Sequence, residues 1–230
     1  MSGQQLLLRL PVRAALGRED FLIAPCNAAA IAWLDRWPDW PERMLVVHGP
    51  EAAGKSHLAE VWRRSSKASV IALETMADGS AGELPSGMAV LLDDIDSTLG
   101  EDAAEAAFLH LLNYVREGGG SVLLAARTAP AHWPVRLADL RSRLLAAPAI
   151  GIGPPDEALL SALLAKFFHE RQTEVGTEVI HYLVSRIERS FAAVRRTAEA
   201  LDAAALQRKR PITVPLARQV LEMPEGPADA

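Results

Sequence analysis

The chain has 230 residues, half of them hydrophobic, with 24 Lys and Arg against 29 Asp and Glu and a formal net charge of −5. That size allows one large or two modest domains with a sizeable core, and the acidic balance argues against sequence-independent DNA binding as the main task, although a local basic patch stays open. The single cysteine, Cys26, rules out an internal disulfide; with no secretory signal and no apolar run of membrane-spanning length, a reducing cytosol is expected, with Cys26 as a small core residue.

Residues 1–20 read as an extended segment with an unusual apolar peptide, Gln5-Leu6-Leu-Leu8-Arg-Leu10. Two readings stay open on composition: a strand or strap lying on the domain, or a peptide that docks in a hydrophobic groove. Asn27 is a good helix cap, and a helix is expected from Ala28 to Trp37, ended by Pro38 and Pro41. Met44 to His48 reads as a short buried strand. It runs into Gly49-Pro-Glu-Ala-Ala-Gly54-Lys55-Ser56, which fits the Walker A pattern G-x-x-x-x-G-K-[ST], and a helix follows from His57. The glycines let the backbone curl so that N–H groups face a phosphate, and the helix adds the positive end of its dipole. Gly49, Pro50, Ala52, Ala53, Gly54, Lys55, Ser56 and His57 are therefore the expected phosphate-binding residues, with Lys55 on the β- and γ-phosphates and the Ser56 hydroxyl on Mg²⁺. The plain alternative is an ordinary glycine-rich turn.

Ser69 to Leu73 reads as a second strand, 77–87 as a loop, and Met88 to Leu92 as a third strand leading into Asp93-Asp94-Ile95-Asp96. An apolar strand followed by paired acids is the Walker B pattern: Asp93 suits the Mg²⁺ shell and Asp94 the orientation of water at the γ-phosphate. A helix from Ala103 to Glu117 presents Phe108, Leu111, Leu112 and Val115 on one face and stops at Gly118-Gly-Gly120. A strand over Ser121 to Ala126, a helix over Arg136 to Leu145 and a strand over Ala149 to Ile152 follow. Gly153-Pro154-Pro155 marks a boundary. Beyond it come only helices, capped by Asp156, Thr177 and Ser190, and a short one over 215–222. The expected organisation is an N-terminal segment 1–20, an α/β domain 21–153 with a parallel sheet covered by helices on both faces, a small all-helical domain 154–223 and a frayed tail 224–230.

A P-loop α/β domain followed by a small helical lid resembles the AAA+ superfamily. Asn27, the Trp37-Pro-Asp-Trp-Pro run, the P-loop with His57-Leu, Leu137-Ala-Asp-Leu-Arg-Ser142-Arg143-Leu144, Arg189-Ser-Phe-Ala-Ala-Val and Arg210-Pro-Ile-Thr-Val-Pro-Leu-Ala-Arg218 resemble the DnaA-related family over nearly the whole chain. Within it, Hda-type regulators of alphaproteobacterial style are the nearest match. The chain stops after the lid, without the DNA-binding domain of an initiator, and the 74–87 segment is too short for an initiator's extra helices. The resemblance implies that Gln5, Leu6, Leu8 and Leu10 dock on the β sliding clamp of DNA polymerase III. It implies ADP or ATP with Mg²⁺ in the P-loop, ADP being the resident ligand, and a base placed against Leu22 and Ile23. It further implies a cytoplasmic regulator that promotes hydrolysis of DnaA-bound ATP, with Arg143 as an arginine finger in trans, little direct DNA binding, no membrane and room for a homodimer. Spacing alone does not separate Arg143 from Arg141; the Ser-Arg-Leu order favours Arg143.

The chain departs from the family at its sensors. Ala125 and Ala126 stand where a polar sensor 1 is usual, with Arg127 and Thr128 just beyond. Ala192 stands at the sensor 2 position, with Arg195 and Arg196 one turn later. Weak intrinsic ATPase activity is expected. Two rival readings are a helicase-loader-type ATPase acting on single-stranded DNA or a helicase, and a small-molecule P-loop kinase. The former needs a basic, aromatic-bearing groove, and this chain has two Tyr, five Phe and a net charge of −5. The lid arginines Arg186, Arg189, Arg195, Arg196, Arg208 and Arg210 form either a basic patch or an ordinary solvated face.

Overall fold

The apolar runs after residue 43 form five strands: β1 (Met44–His48), β2 (Ser69–Val70), β3 (Ala89–Leu92), β4 (Ser121–Ala126) and β5 (Ala149–Gly151). They pair in parallel in the order β2-β3-β4-β1-β5. The computed structural model describes residues 22–73, 87–208 and 210–222; they divide into two units between Gly153 and Pro154. The peptide at Gln5 to Leu10, most of the 77–87 loop and the tail lie outside the described residues.

Alternation along the strands builds two cores in the first unit. Met44, Val46, Val90, Leu92, Val122 and Leu124 pack with Phe108, Leu111, Leu112 and Val115 of α3 (Asp102–Glu117) and Leu140 and Leu144 of α4 (Ala138–Ala146). The intervening Leu45, Val47, Ala89, Leu91 and Leu123 pack on the other face with Ala30, Ile31 and Leu34 of α1 (Ala28–Leu34) and Leu58, Ala59 and Trp62 of α2 (Lys55–Ser66). Successive side chains of a strand point to opposite faces, so apolar residues at every position require a layer on each side. Each large side chain fully buried this way contributes about 1.5–3 kcal/mol. α3 ends where Gly120 brings the backbone against β3: a Cβ there would lie 2.2 Å from the Met88 carbonyl oxygen.

Several expected boundaries shift. α1 stops at Leu34 rather than Trp37: Asp35 N–H still bonds four residues back, to Ile31, but Arg36 and Trp37 bond only three back, to Trp33 and Leu34. The turn carries the Trp37 indole to Ser121, where Nε1 donates to Oγ at 2.8 Å. β2 is two exposed residues at the sheet edge, not five; one further bond, Ile71 N–H to the Leu91 carbonyl at 3.0 Å, continues its pairing. Cys26 is half-buried rather than a core residue, because it lies in the turn before α1, where its carbonyl accepts from the Gly153 N–H.

The second unit is helical: α5 (Glu157–Glu170), α6 (Thr177–Val184), α7 (Phe191–Arg208) and α8 (Val214–Glu222). Leu160, Leu164, Phe168, Val179, Leu183, Leu201 and Ala217 are among the residues that fill its core. Asp156 caps α5, its Oδ1 accepting from Leu159 N–H at 2.7 Å. Ser190 Oγ accepts from Ala193 N–H at 3.1 Å ahead of α7. Thr177 is the first residue of α6 and not its cap; Gly176 holds that position.

One buried charge ties α3 to α4. Glu105 is fully buried, and its carboxylate accepts from the N–H groups of Gly100, Arg136 and Leu137 at 2.8–3.1 Å. Glu105→Ala strands these donors in a dry site. We expect a loss of about 3 kcal/mol, seen as a melting temperature lower by about 6–12 °C, with partial recovery in Glu105→Gln. A melting point unchanged in Glu105→Ala would show that the carboxylate does not secure this junction.

Candidate functional site

The polar residues of the first unit gather where the strands end. β1 gives way to Gly49, which approaches the exit of β5 so closely that a Cβ would sit 2.3 Å from the Ile152 carbonyl oxygen. Ile152 N–H donates to His48 O at 2.7 Å, and Gly49 N–H to Ala126 O at 3.2 Å. Left-handed backbone at Ala52 (φ 57) and Gly54 (φ 94) turns the loop into α2, and Ala53 is buried beneath it. The first rung of α2 is Leu58 N–H to Gly54 O, so the N–H groups of Lys55 and Ser56 precede the helical ladder. Pro50, Ser56 and His57 are exposed. Lys55 Nζ donates to the carbonyls of Gly49 and Pro50, both at 2.8 Å, which holds the ammonium at the loop.

Burial lowers the Lys55 pKa, with Asp93, Asp96 and Asp94 acting against that shift and Arg127 with it. The His48 imidazole is also pushed down, first by burial and then by His132 and Lys55. Of the expected acids, Asp93 is exposed and its Oδ1 accepts from the Asp94 N–H at 3.0 Å. Asp94 has left-handed backbone (φ 52), and its Oδ1 accepts from Arg127 Nε at 3.2 Å. Ala125 and Ala126 are fully buried, so the first exposed polar side chain after β4 is Arg127. Sequence reasoning missed the role of Asp96: its carboxylate accepts from Arg127 N–H, Thr128 N–H and the Thr128 hydroxyl at 3.0–3.2 Å. Its place in the acidic run was visible; its partner 31 residues on was not.

These residues fit a phosphate with a divalent cation. The close approach at Gly49, the helix start and the ammonium supply an anion cradle, and Ser56 and Asp93 are the groups that would hold Mg²⁺. Among the described residues no cluster of three or more His, Cys, Asp or Glu could hold a metal alone. Leu22 and Ile23 are half-buried. Asn27, expected as a cap, turns its side chain back to fix them: Oδ1 accepts from Ala24 N–H at 2.9 Å and Nδ2 donates to Leu22 O at 3.0 Å. The Gly153–Cys26 hydrogen bond then ties this segment to the β5 exit beside Gly49.

Arg143 lies elsewhere. On α4 its guanidinium donates to Asp139 at 2.9 and 3.2 Å and to Asn113 Oδ1 at 2.7 Å, and its side chain is 23% exposed. It lines a cleft with Arg43, Arg116, Met44 and Val122, against the first residues of β1 and β4. Arg141 is exposed. In the second unit, Arg189, Arg195 and Arg196 pair with Glu157, Glu199 and Glu188, which fits a solvated face rather than a basic patch. Ala192 is half-buried. Among the described residues no helix is long and apolar enough to cross a membrane.

Gly49→Ala forces a side chain into the Ile152 carbonyl. The expected cost is about 1–3 kcal/mol, read as a lower melting temperature. Gly153→Ala, whose Cβ would meet Cys26 at an ordinary 3.6 Å, is the control and should melt close to the parent. Equal melting points for both would contradict the close approach.

The family model for the Hda lid domain matches residues 156–221. An uncharacterized protein of Haemophilus influenzae is 24% identical over 199 residues, 80% of this chain and 84% of that one. The chromosomal replication initiator DnaA of Symbiobacterium thermophilum is 25% identical over 226 residues, 89% of this chain but 49% of that protein, so the chain spans about half the length of this initiator. Domain III of Thermotoga maritima DnaA superposes with a TM-score of 0.76 at 16% identity, covering 89% of this chain and 94% of that one. AMPPCP-bound DnaA from Aquifex aeolicus gives 0.67 at 18% identity, covering 83% and 67%. The lid match, the sequence relatives and the five-stranded parallel sheet agree: residues 156–221 match the Hda lid domain, the chain is similar in sequence to DnaA initiators, and it shares the fold of DnaA domain III.

Proposed function

We propose that this protein is a regulator of replication initiation. It binds an adenine nucleotide with Mg²⁺ in its P-loop, docks through Gln5, Leu6, Leu8 and Leu10 on the sliding clamp, and promotes hydrolysis of ATP held by DnaA in the cytoplasm. Lys55 and the backbone of Gly49 to His57 hold the phosphates, Ser56 and Asp93 the cation, and Leu22 and Ile23 the base. ADP is the nucleotide of the resting protein.

The observation that carries this reading is the position of Arg143. The P-loop follows the last residue of β1, whereas the Arg143 cleft includes the first, Met44. Five residues of strand separate them, about 16 Å, farther than an arginine side chain reaches. Arg143 therefore serves a neighbour's nucleotide rather than its own. Its planar guanidinium stabilises charge that builds on a transferring phosphoryl group, an effect of about 10³–10⁵ in rate for such fingers. Asp139 and Asn113 orient that guanidinium before the partner arrives. The paired lid arginines and the net charge of −5 leave little for direct DNA contact, and the face that receives DnaA could also receive a second copy of this chain.

Arg143→Ala should leave ADP binding intact and remove stimulation of DnaA-bound ATP hydrolysis, measured in single turnover with clamp and DNA; Arg143→Lys should fail nearly as badly. Arg141→Ala is the control and should keep most activity. A fully active Arg143→Ala would overturn the assignment, and an inactive Arg141→Ala beside it would move the role to the exposed neighbour. For the N-terminal peptide, alanine at Gln5, Leu6 and Leu8 together should abolish co-elution with the clamp at unchanged melting temperature, since short peptides concentrate affinity in a few anchors. Retained co-elution, or loss of fold, would make the segment structural.

A further inference from the structure

Three guanidinium groups share the cleft at the start of β1, those of Arg43, Arg116 and Arg143, and Glu42 is the one carboxylate among the described residues that line it. On a chain with a net charge of −5, this cleft carries a positive surplus. Arg143 is paired with Asp139. Arg43 has no ion pair among the described residues; its Nη1 donates to a neutral acceptor, the Gly119 carbonyl, at 2.7 Å. That bond is exposed to water, so it adds little stability and gives way readily to a charged acceptor. The backbone that presents Arg43 is unusual. Glu42 (φ 50) and Arg43 (φ 54) both lie in the left-handed region, which is unfavourable for residues with a Cβ. The two ends of the turn hold it there. Trp40 is buried, stacks on Trp62 with ring centroids 5.4 Å apart and donates from Nε1 to the Trp33 carbonyl at 2.7 Å; Met44 is buried in β1. Glycine takes such a backbone freely, as Gly119 does at φ 73 across the hydrogen bond. The turn itself gains nothing from an arginine at this position, and strain of this kind collects where a side chain has a task.

We propose that Arg43 is a second guanidinium for the neighbour's nucleotide, meeting the phosphate that leaves while Arg143 meets the one that is transferred. In the hydrolysis, the oxygen of water bonds to the γ-phosphorus. The bond from that phosphorus to the β,γ-bridging oxygen breaks, its electron pair stays on ADP, and both hydrogens of the water depart with inorganic phosphate. Negative charge therefore grows on the leaving oxygen as well as on the transferring group, and a second guanidinium in the same cleft stabilises it. Arg43 exchanges the neutral Gly119 carbonyl for a charged partner that its planar fork can hold through two bonds. The left-handed turn sets its direction beforehand, so little freedom is lost on docking. Arg116, exposed on the last turn of α3, adds to the field that draws the anion in. The inference rests on the reading of Arg143 as a finger in trans.

The test is single-turnover hydrolysis of ATP preloaded on DnaA, with clamp-loaded DNA and the full chain at increasing concentration, beside a melting curve of each variant. Arg43→Gly removes the guanidinium and releases the turn. It should melt at the parent's temperature or above. Its saturating rate should fall about tenfold, with the half-saturating concentration changed less than about twofold. A saturating rate equal to the parent's would overturn the proposal. So would a loss confined to the half-saturating concentration, which would give Arg43 a carboxylate of the partner protein rather than a phosphate. A melting point below the parent's would make the side chain a strut on Gly119 and would overturn it as well. Arg143→Ala keeps the two readings apart. If it is fully active, the finger itself fails; if it is inactive while Arg43→Gly saturates at the parent rate, the finger stands and only the role of Arg43 falls.

Discussion

A sheet buried on both faces has no place for charge, and the rest of this molecule follows from that constraint. Leu45, Val46, Leu123 and Leu124 at its centre are almost wholly excluded from water, and an unpaired charge among them would cost several kcal/mol. Ionisable groups are therefore kept off the centre of the sheet, and those nearest it sit at the strand ends. At one end the parallel register puts the exits of β1, β3, β4 and β5 side by side, which gathers the P-loop, the acids after Leu92, Arg127 and the Ile152 carbonyl along one edge of the sheet. At the other end the starts of β1 and β4 meet Arg143, Arg43 and Arg116. The two ends are chemically different, one an anion cradle beside carboxylates, the other an apolar cleft that carries three guanidinium groups and the Glu42 carboxylate.

How much of this was legible depended on the range of the interaction. Runs such as Met44 to His48 and Ser121 to Ala126 are short, apolar and bounded by turn residues, so strands were readable and so was the layer on each face. The P-loop was readable because its signal is local: glycines, lysine and serine at fixed spacing. Boundaries set by distant partners were not. The early end of α1 accompanies a hydrogen bond between Trp37 and Ser121, 84 residues apart, and the brevity of β2 reflects its place at the sheet edge. Asn27 has the chemistry of a cap, yet its amide serves the Leu22–Ala24 segment, a choice between two nearby backbones that composition does not decide. The clamp of Asp96 on Arg127 and the burial of Glu105 against Arg136 and Leu137 span about thirty residues and leave no periodic trace.

The same range argument bears on the arginines. Arg141 and Arg143 stand two residues apart on α4, and the structure separates them: Arg143 is ordered by Asp139 and Asn113, whereas Arg141 faces solvent. A finger must arrive in a fixed geometry to stabilise a transition state, and prior ordering reduces the entropy lost on docking. The α/β unit thus has its P-loop at one end of its strands and offers an oriented guanidinium at the other. That arrangement is the one the proposed action on a neighbour's nucleotide requires.

The central claim is that this chain accelerates hydrolysis of ATP bound to DnaA. It is tested most directly by preloading DnaA with labelled ATP, adding the unaltered chain with clamp-loaded DNA, and following conversion to ADP in a single turnover. The account predicts faster conversion that rises with the concentration of this chain and requires the clamp. Conversion at the rate of DnaA alone, at every concentration of the chain, would contradict it.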